Sequence, residues 1–182
     1  MEFIYKINWI DLFISLIIVR SFLVGIKNGF AVEFFKFLGI IVSIFISFQF
    51  YLNLADFLRD YLPLKAKLLE NISFLVLVAV SYIIVVLLRS FFVMIFKFES
   101  TGVIDKILGF IVGFIRGALL ASLILAFFIL INTDYFHKSI NKSLVGLRVL
   151  TLSNKTYSFI FEKIIKNILP HEEKKNEIIS TL

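Results

Sequence analysis

From residue 107 to residue 131 the chain reads ILGFIVGFIRGALLASLILAFFILI, and every residue but Arg116 is uncharged. A helix needs about 20 apolar residues to cross a hydrocarbon core of about 30 Å. This run meets that length. It is too long for a membrane strand of about 9–11 residues, and it lacks a strand's alternation. In lipid only helices and closed barrels satisfy their own backbone hydrogen bonds. The stretch therefore reads as a spanning helix, and three upstream segments read the same way. Residues 71–96 are charge-free as far as Leu88, with Arg89 next. Residues 34–54 are charge-free from Phe37 onward. Residues 9–24 form a shorter run between Asp11 and Arg20. The predicted fold is all-α. It has an integral membrane bundle of four transmembrane helices over residues 1–131, an amphipathic helical region over 132–169, and a flexible charged tail over 170–182.

The composition agrees. Of 182 residues, 60% are hydrophobic and 18% charged, against about 45–50% and about 25% in soluble domains. A soluble chain of this size could not bury so much apolar surface. A soluble enzyme, a nucleic-acid-binding domain and a disordered tail are therefore excluded as readings. The net charge of +6 fits Lys and Arg flanking membrane spans rather than a nucleic-acid partner. With no cysteine there is no disulfide framework, thiolate metal site or Cys nucleophile. The run of residues 12–19 imitates a signal peptide, but Asp11 and Arg20 bracket it and no Ala-x-Ala site follows, so the N-terminus is expected to be retained.

The predicted connections differ in character. Residues 25–30, GIKNGF, form a tight turn; residues 56–70 form a loop containing Pro63; residues 97–106 join the third and fourth spans. A polar stretch, 132–141, precedes a predicted amphipathic helix over 144–169. There Tyr157, Phe161, Ile164 and Ile168 recur at helical spacing, opposite Ser158, Glu162, Lys163, Lys166 and Asn167. Such a stripe suits a membrane surface or packing against the bundle or another subunit. Lys and Arg divide evenly between the two sides. Those beside the tight turns lie closer to the spans, which favours tight turns facing the cytoplasm and termini facing outward.

Gly109, Gly113 and Gly117 form a double G-x-x-x-G ladder on one helical face, and Gly25 and Gly29 share the spacing. Glycine lets a neighbouring helix approach closely, within one chain or between subunits. The echo between Val24-Gly25-x-x-x-Gly29 and Val112-Gly113-x-x-x-Gly117 is read as chance or a shared need for close packing, ahead of an internal repeat of the kind found in transporters. Asp11, Arg20, Arg89 and Arg116 lie in or beside spans, where a charge needs a partner or a polar cavity. Asp11 and Glu33 are the carboxylate candidates for these arginines. Arg116 lies either inside the fourth span or at its edge, with residues 107–115 then interfacial or re-entrant. The two histidines, His137 and His171, fall outside the spans, and no zinc-protease or phosphate-loop motif occurs. No catalytic residue, metal site or cofactor is expected.

Four motifs in order then resemble one family. They are Trp9-Ile10-Asp11; Gly25-Ile26-Lys27-Asn28-Gly29-Phe30-Ala31-Val32-Glu33; Thr101-Gly102-Val103-Ile104-Asp105-Lys106-Ile107-Leu108-Gly109; and Gly113-Phe114-Ile115-Arg116-Gly117. Over about residues 8–131 the chain resembles the CvpA family, the colicin V production proteins of bacterial inner membranes. It departs at Asn28, where that family commonly has a second base. The resemblance implies a multi-pass protein of the inner (cytoplasmic) membrane. Such a protein would support toxin production or export and envelope homeostasis, including tolerance of bile salts. Its candidate functional residues would be Asp11, Gly25, Gly29, Phe30, Glu33, Thr101, Gly102, Asp105, Gly109, Gly113, Arg116 and Gly117, with Arg20 and Arg89 as embedded charges. Partners would be the lipid bilayer and either further copies of the chain or other membrane proteins. The alternative is a small oligomeric channel or transporter component using the intramembrane charges.

Overall fold

A computed structural model describes residues 8–96, 102–131 and 134–165. All its regular elements are helical: α1 (Trp9–Arg59), α2 (Ala66–Phe96), α3 (Val103–Ile131), α4 (Asp134–Lys142), α5 (Gly146–Ile160) and a π-helical turn, Phe161–Ile165. Among the described residues three helices, not four, are long and apolar enough to cross a membrane. The difference lies in α1. The predicted first and second spans are one helical element, interrupted only at Gly29, whose φ of 76° and ψ of 173° are non-helical. That region is essentially open to glycine alone.

The two arms of α1 run in opposite senses along α3. Trp9 and Phe13 meet Phe128, Ser21 meets Gly117, and Gly25 meets Gly109. Beyond Gly29 the order reverses: Glu33 pairs with Arg116, and Ile40 shares a cavity wall with Leu123 and Ile124. The chain therefore folds back at one residue. Each arm keeps its helical hydrogen bonds up to the break, so only a few backbone groups need outside partners.

α3 is the central element: over half of its most apolar 18-residue stretch is buried, against 17% for that of α2. α1 packs on both, whereas α2 and α3 scarcely touch. α1 ends ahead of Pro63, as the pre-proline restriction requires, and α2 starts at Ala66. The predicted loop 56–70 therefore shrinks to residues 60–65. α3 is continuous through Arg116, so residues 107–115 belong to it and are not re-entrant.

The predicted amphipathic helix over 144–169 also takes another form. The stretch 134–142 is itself helical, and α5 covers only Gly146–Ile160. The buried face of α5 is Gly146, Val149, Leu150, Ser153 and Tyr157, packed on α3 and α1. Its outer side carries exposed Leu147 and Phe159 as well as Lys155, so it is not divided cleanly into an apolar and a polar face. Ser122 Oγ donates to the Leu150 carbonyl at 3.0 Å and accepts from the Ser153 amide at 2.8 Å. Tyr157 Oη donates to Gln49 at 2.6 Å. Of the predicted stripe, Tyr157 and Phe161 are buried; Ile168 and the tail 170–182 lie outside the described residues.

Candidate functional site

Glycine brings the site together. A Cβ built on Gly25 would overlap the Gly109 carbonyl oxygen, and one on Gly113 would lie 2.8 Å from the Ser21 carbonyl oxygen. One on Gly117 would lie 2.7 Å from Ser21 Cβ. The two glycine series of the sequence echo thus face each other within one chain. In lipid this contact rests on van der Waals packing, because apolar burial gives no drive between helices. At the break, the Phe30 amide donates to Asp105 Oδ1 at 2.9 Å. Asp105 so serves as a cap for the second arm, replacing the acceptor that a continuous helix would supply.

Seven residues beyond Gly109, about 10 Å along α3, Arg116 meets Glu33. Glu33 is wholly buried and Arg116 nearly so. Arg116 Nη1 lies 2.9 Å from Glu33 Oε2, an ion pair without the alignment of a hydrogen bond. Glu33 Oε1 accepts from Asn28 Nδ2 at 2.7 Å and from Lys36 Nζ at 2.9 Å. One carboxylate therefore serves two cations and an amide. Beside this cluster opens a cavity of about 350 Å³ lined by Arg20, Ser21, Lys36, Tyr82 and Arg116, with Ile17, Val24 and Leu120. Three cations face it against the single charge of Glu33. Arg116 Nε is buried without a hydrogen-bond partner, and Arg20 makes no ion pair with a described residue. Such a cavity can receive an anion.

Asp11 does different work. It lies 18 residues before Gly29, about 27 Å away along the arm. Its Oδ1 accepts from Ser143 Oγ at 2.5 Å and from the Val145 amide at 3.2 Å. Its Oδ2 accepts from the amides of Asn8 at 3.1 Å and Leu144 at 3.3 Å. Asp11 is not the partner of an embedded arginine; it fastens the start of α1 to the α4–α5 turn. Trp9 adds a stacked contact with Tyr135 at 6.2 Å. Asp11→Asn should remove an acceptor from this set and turn an N–H₂ toward donors. The expected loss is about 1–3 kcal/mol, read as a lower Tm and faster proteolysis at the α4–α5 turn.

The structure thus gathers Gly25, Gly29, Phe30, Glu33, Asp105, Gly109, Gly113, Arg116 and Gly117 at one end and middle of the α1–α3 contact. It sets Asp11 at the other end. Arg89 is half-buried on α2, with its Nε unpartnered, and joins no described ion pair. Gly102 is exposed, and a Cβ there would make no contact tighter than 4.0 Å, to the Ile104 amide nitrogen. Thr101 lies outside the described residues. Sequence reasoning missed Lys36, Ser21 and Tyr82 as cavity residues and Ser143 as the Asp11 ligand. The i,i+3 spacing of Glu33 and Lys36 was the one available signal. Asn28, a departure from the resembled motif, keeps a neutral donor on Glu33 where a base would add another cation.

A family model described as colicin V production protein matches residues 10–152. The match reaches past α3 through the Asp11-bound turn and into α5. No curated protein and no solved structure matches the chain.

Proposed function

The chain belongs to the colicin V production protein family, and on that premise we propose that it is a non-enzymatic, multi-pass protein of the bacterial inner membrane. It supports peptide-toxin production or export and envelope homeostasis by engaging other membrane components. In this reading each arm of α1 crosses the bilayer separately, giving four passes with α2 and α3. The observation that carries the reading is the Glu33 cluster. A buried carboxylate holds Arg116 and Lys36 beside a cavity with surplus positive charge. Charges at membrane depth are costly and usually mark a working site. The glycine faces and the inner face of α5 are occupied within the chain. A partner or a second copy therefore has to use other surfaces, such as the exposed apolar side of α2.

The test is growth of a deletion strain in bile salt, complemented at matched membrane abundance. The double variant Glu33→Gln/Arg116→Gln removes both charges as a pair, which a fold often tolerates. Lys36→Gln removes the less buried of Glu33's two cations. Both are expected to lose most of the protection while reaching normal abundance. Full protection by both would contradict a working charge site.

A further inference from the structure

We propose that the cationic cavity binds an anionic phospholipid, with the head-group phosphate on Arg20, Lys36 and Arg116 and an acyl chain in the cleft between α2 and α3. The proposal rests on the reading of the charge cluster as the working site and names its ligand. Three observations carry it. The first is charge: three cations face the cavity, Glu33 offsets one, and buried Arg116 Nε lacks a partner. Phosphate oxygens match guanidinium donors in geometry as well as sign.

The second is continuity with an apolar space. Tyr82 and Leu120 line both the cationic cavity and a second cavity of about 320 Å³, walled by Phe74, Val78, Leu123 and Phe127 among others. Each has room for about ten groups the size of a water molecule, at about 30 Å³ each. A peptide carboxylate would drag unsatisfied backbone N–H and C=O groups into that apolar cleft. An acyl chain carries no such groups.

The third is depth. Lys36 and Arg116 lie about 10 Å from the level of Gly29 and Gly109, and Arg20 about 13 Å. The apolar cleft runs on from Leu120 to Phe127, further from that level. With the Gly29 turn at the membrane interface, the cations fall within snorkelling reach of a head group, and the chain points towards the bilayer centre. A lipid lies in that direction; a free phosphate ion would leave the cleft unused.

The full-length protein in phosphatidylcholine nanodiscs is titrated with phosphatidylglycerol, and in parallel with inorganic phosphate, while its Tm is followed by circular dichroism. Phosphatidylglycerol is expected to raise the Tm by several degrees and to saturate; inorganic phosphate is expected to leave it unchanged. Arg20→Gln and the cleft-filling Ala79→Phe should each weaken the response to phosphatidylglycerol at least tenfold with the starting Tm kept. Arg59→Gln, at an exposed arginine that forms the far end of the second arm, should respond like the wild type. An equal shift from inorganic phosphate, or a wild-type response from both Arg20→Gln and Ala79→Phe, would overturn the proposal. Complementation by Glu33→Gln/Arg116→Gln is scored separately. Its loss alongside a wild-type Tm that phosphatidylglycerol leaves unchanged would sink the lipid assignment alone.

Discussion

Glu33→Gln alone should be strongly destabilising. Glu33 is fully buried and is the described counter-charge of Arg116 and Lys36. Gln keeps the size but removes the charge, leaving a buried guanidinium uncompensated. Breaking a buried pair from one side costs about 3–5 kcal/mol, whereas replacing both partners is often nearly neutral. The prediction is therefore a pattern. Glu33→Gln lowers stability by about 3–5 kcal/mol, and adding Arg116→Gln restores more than half of the loss. Unfolding of the purified protein in mixed micelles, followed by circular dichroism, reads both. A single variant as stable as wild type would mean that the pair does not hold the arms of α1 to α3.

Gly109→Val should have an effect of similar size by a different route. A Cβ on Gly109 would overlap the Gly25 carbonyl oxygen and lie 3.0 Å from the Gly29 carbonyl carbon. These are backbone atoms, so no side-chain rotation relieves the clash. Overpacking typically costs about 1–3 kcal/mol and sometimes more; backbone on both sides puts this position at or above the upper end. The displacement also carries Arg116 away from Glu33, since both follow from the α1–α3 register. The expected result is a large fall in membrane abundance. Gly102→Val is the control, because a Cβ there meets only the Ile104 amide nitrogen, at an ordinary contact distance of 4.0 Å, and abundance should stay near wild type.

Several features could be read from sequence because they are local. The lengths and apolarity of residues 71–96 and 107–131 led directly to α2 and α3, and the glycine spacing pointed to a close helix contact. The single-residue reversal at Gly29 was harder. A turn spread over residues 25–30 was the natural expectation, but in lipid each freed backbone group is costly, so helix persists to both sides of one glycine. Glu33 could be named as a carboxylate for an arginine, but the choice of Arg116 depends on the register of two helices that are distant in sequence. Asp11 was misjudged for the same reason: its ligand Ser143 lies 132 residues away. The face of α5 was obscured by chemistry. It is built partly from Gly146 and Ser153, which fit close approach and internal hydrogen bonding but add nothing to an apolar stripe.

The central claim is that α1 folds back at Gly29, so that its two arms cross the membrane in opposite directions. The chain has no cysteine, so single cysteines can be placed at Lys27, Leu62 and Leu144, all exposed in the structure. Their reaction with a membrane-impermeant maleimide, in intact cells and in inverted vesicles, assigns each to a side. The account predicts that Lys27→Cys reacts from one side and that Leu62→Cys and Leu144→Cys both react from the other. Labelling of Lys27→Cys and Leu62→Cys from the same side would contradict it.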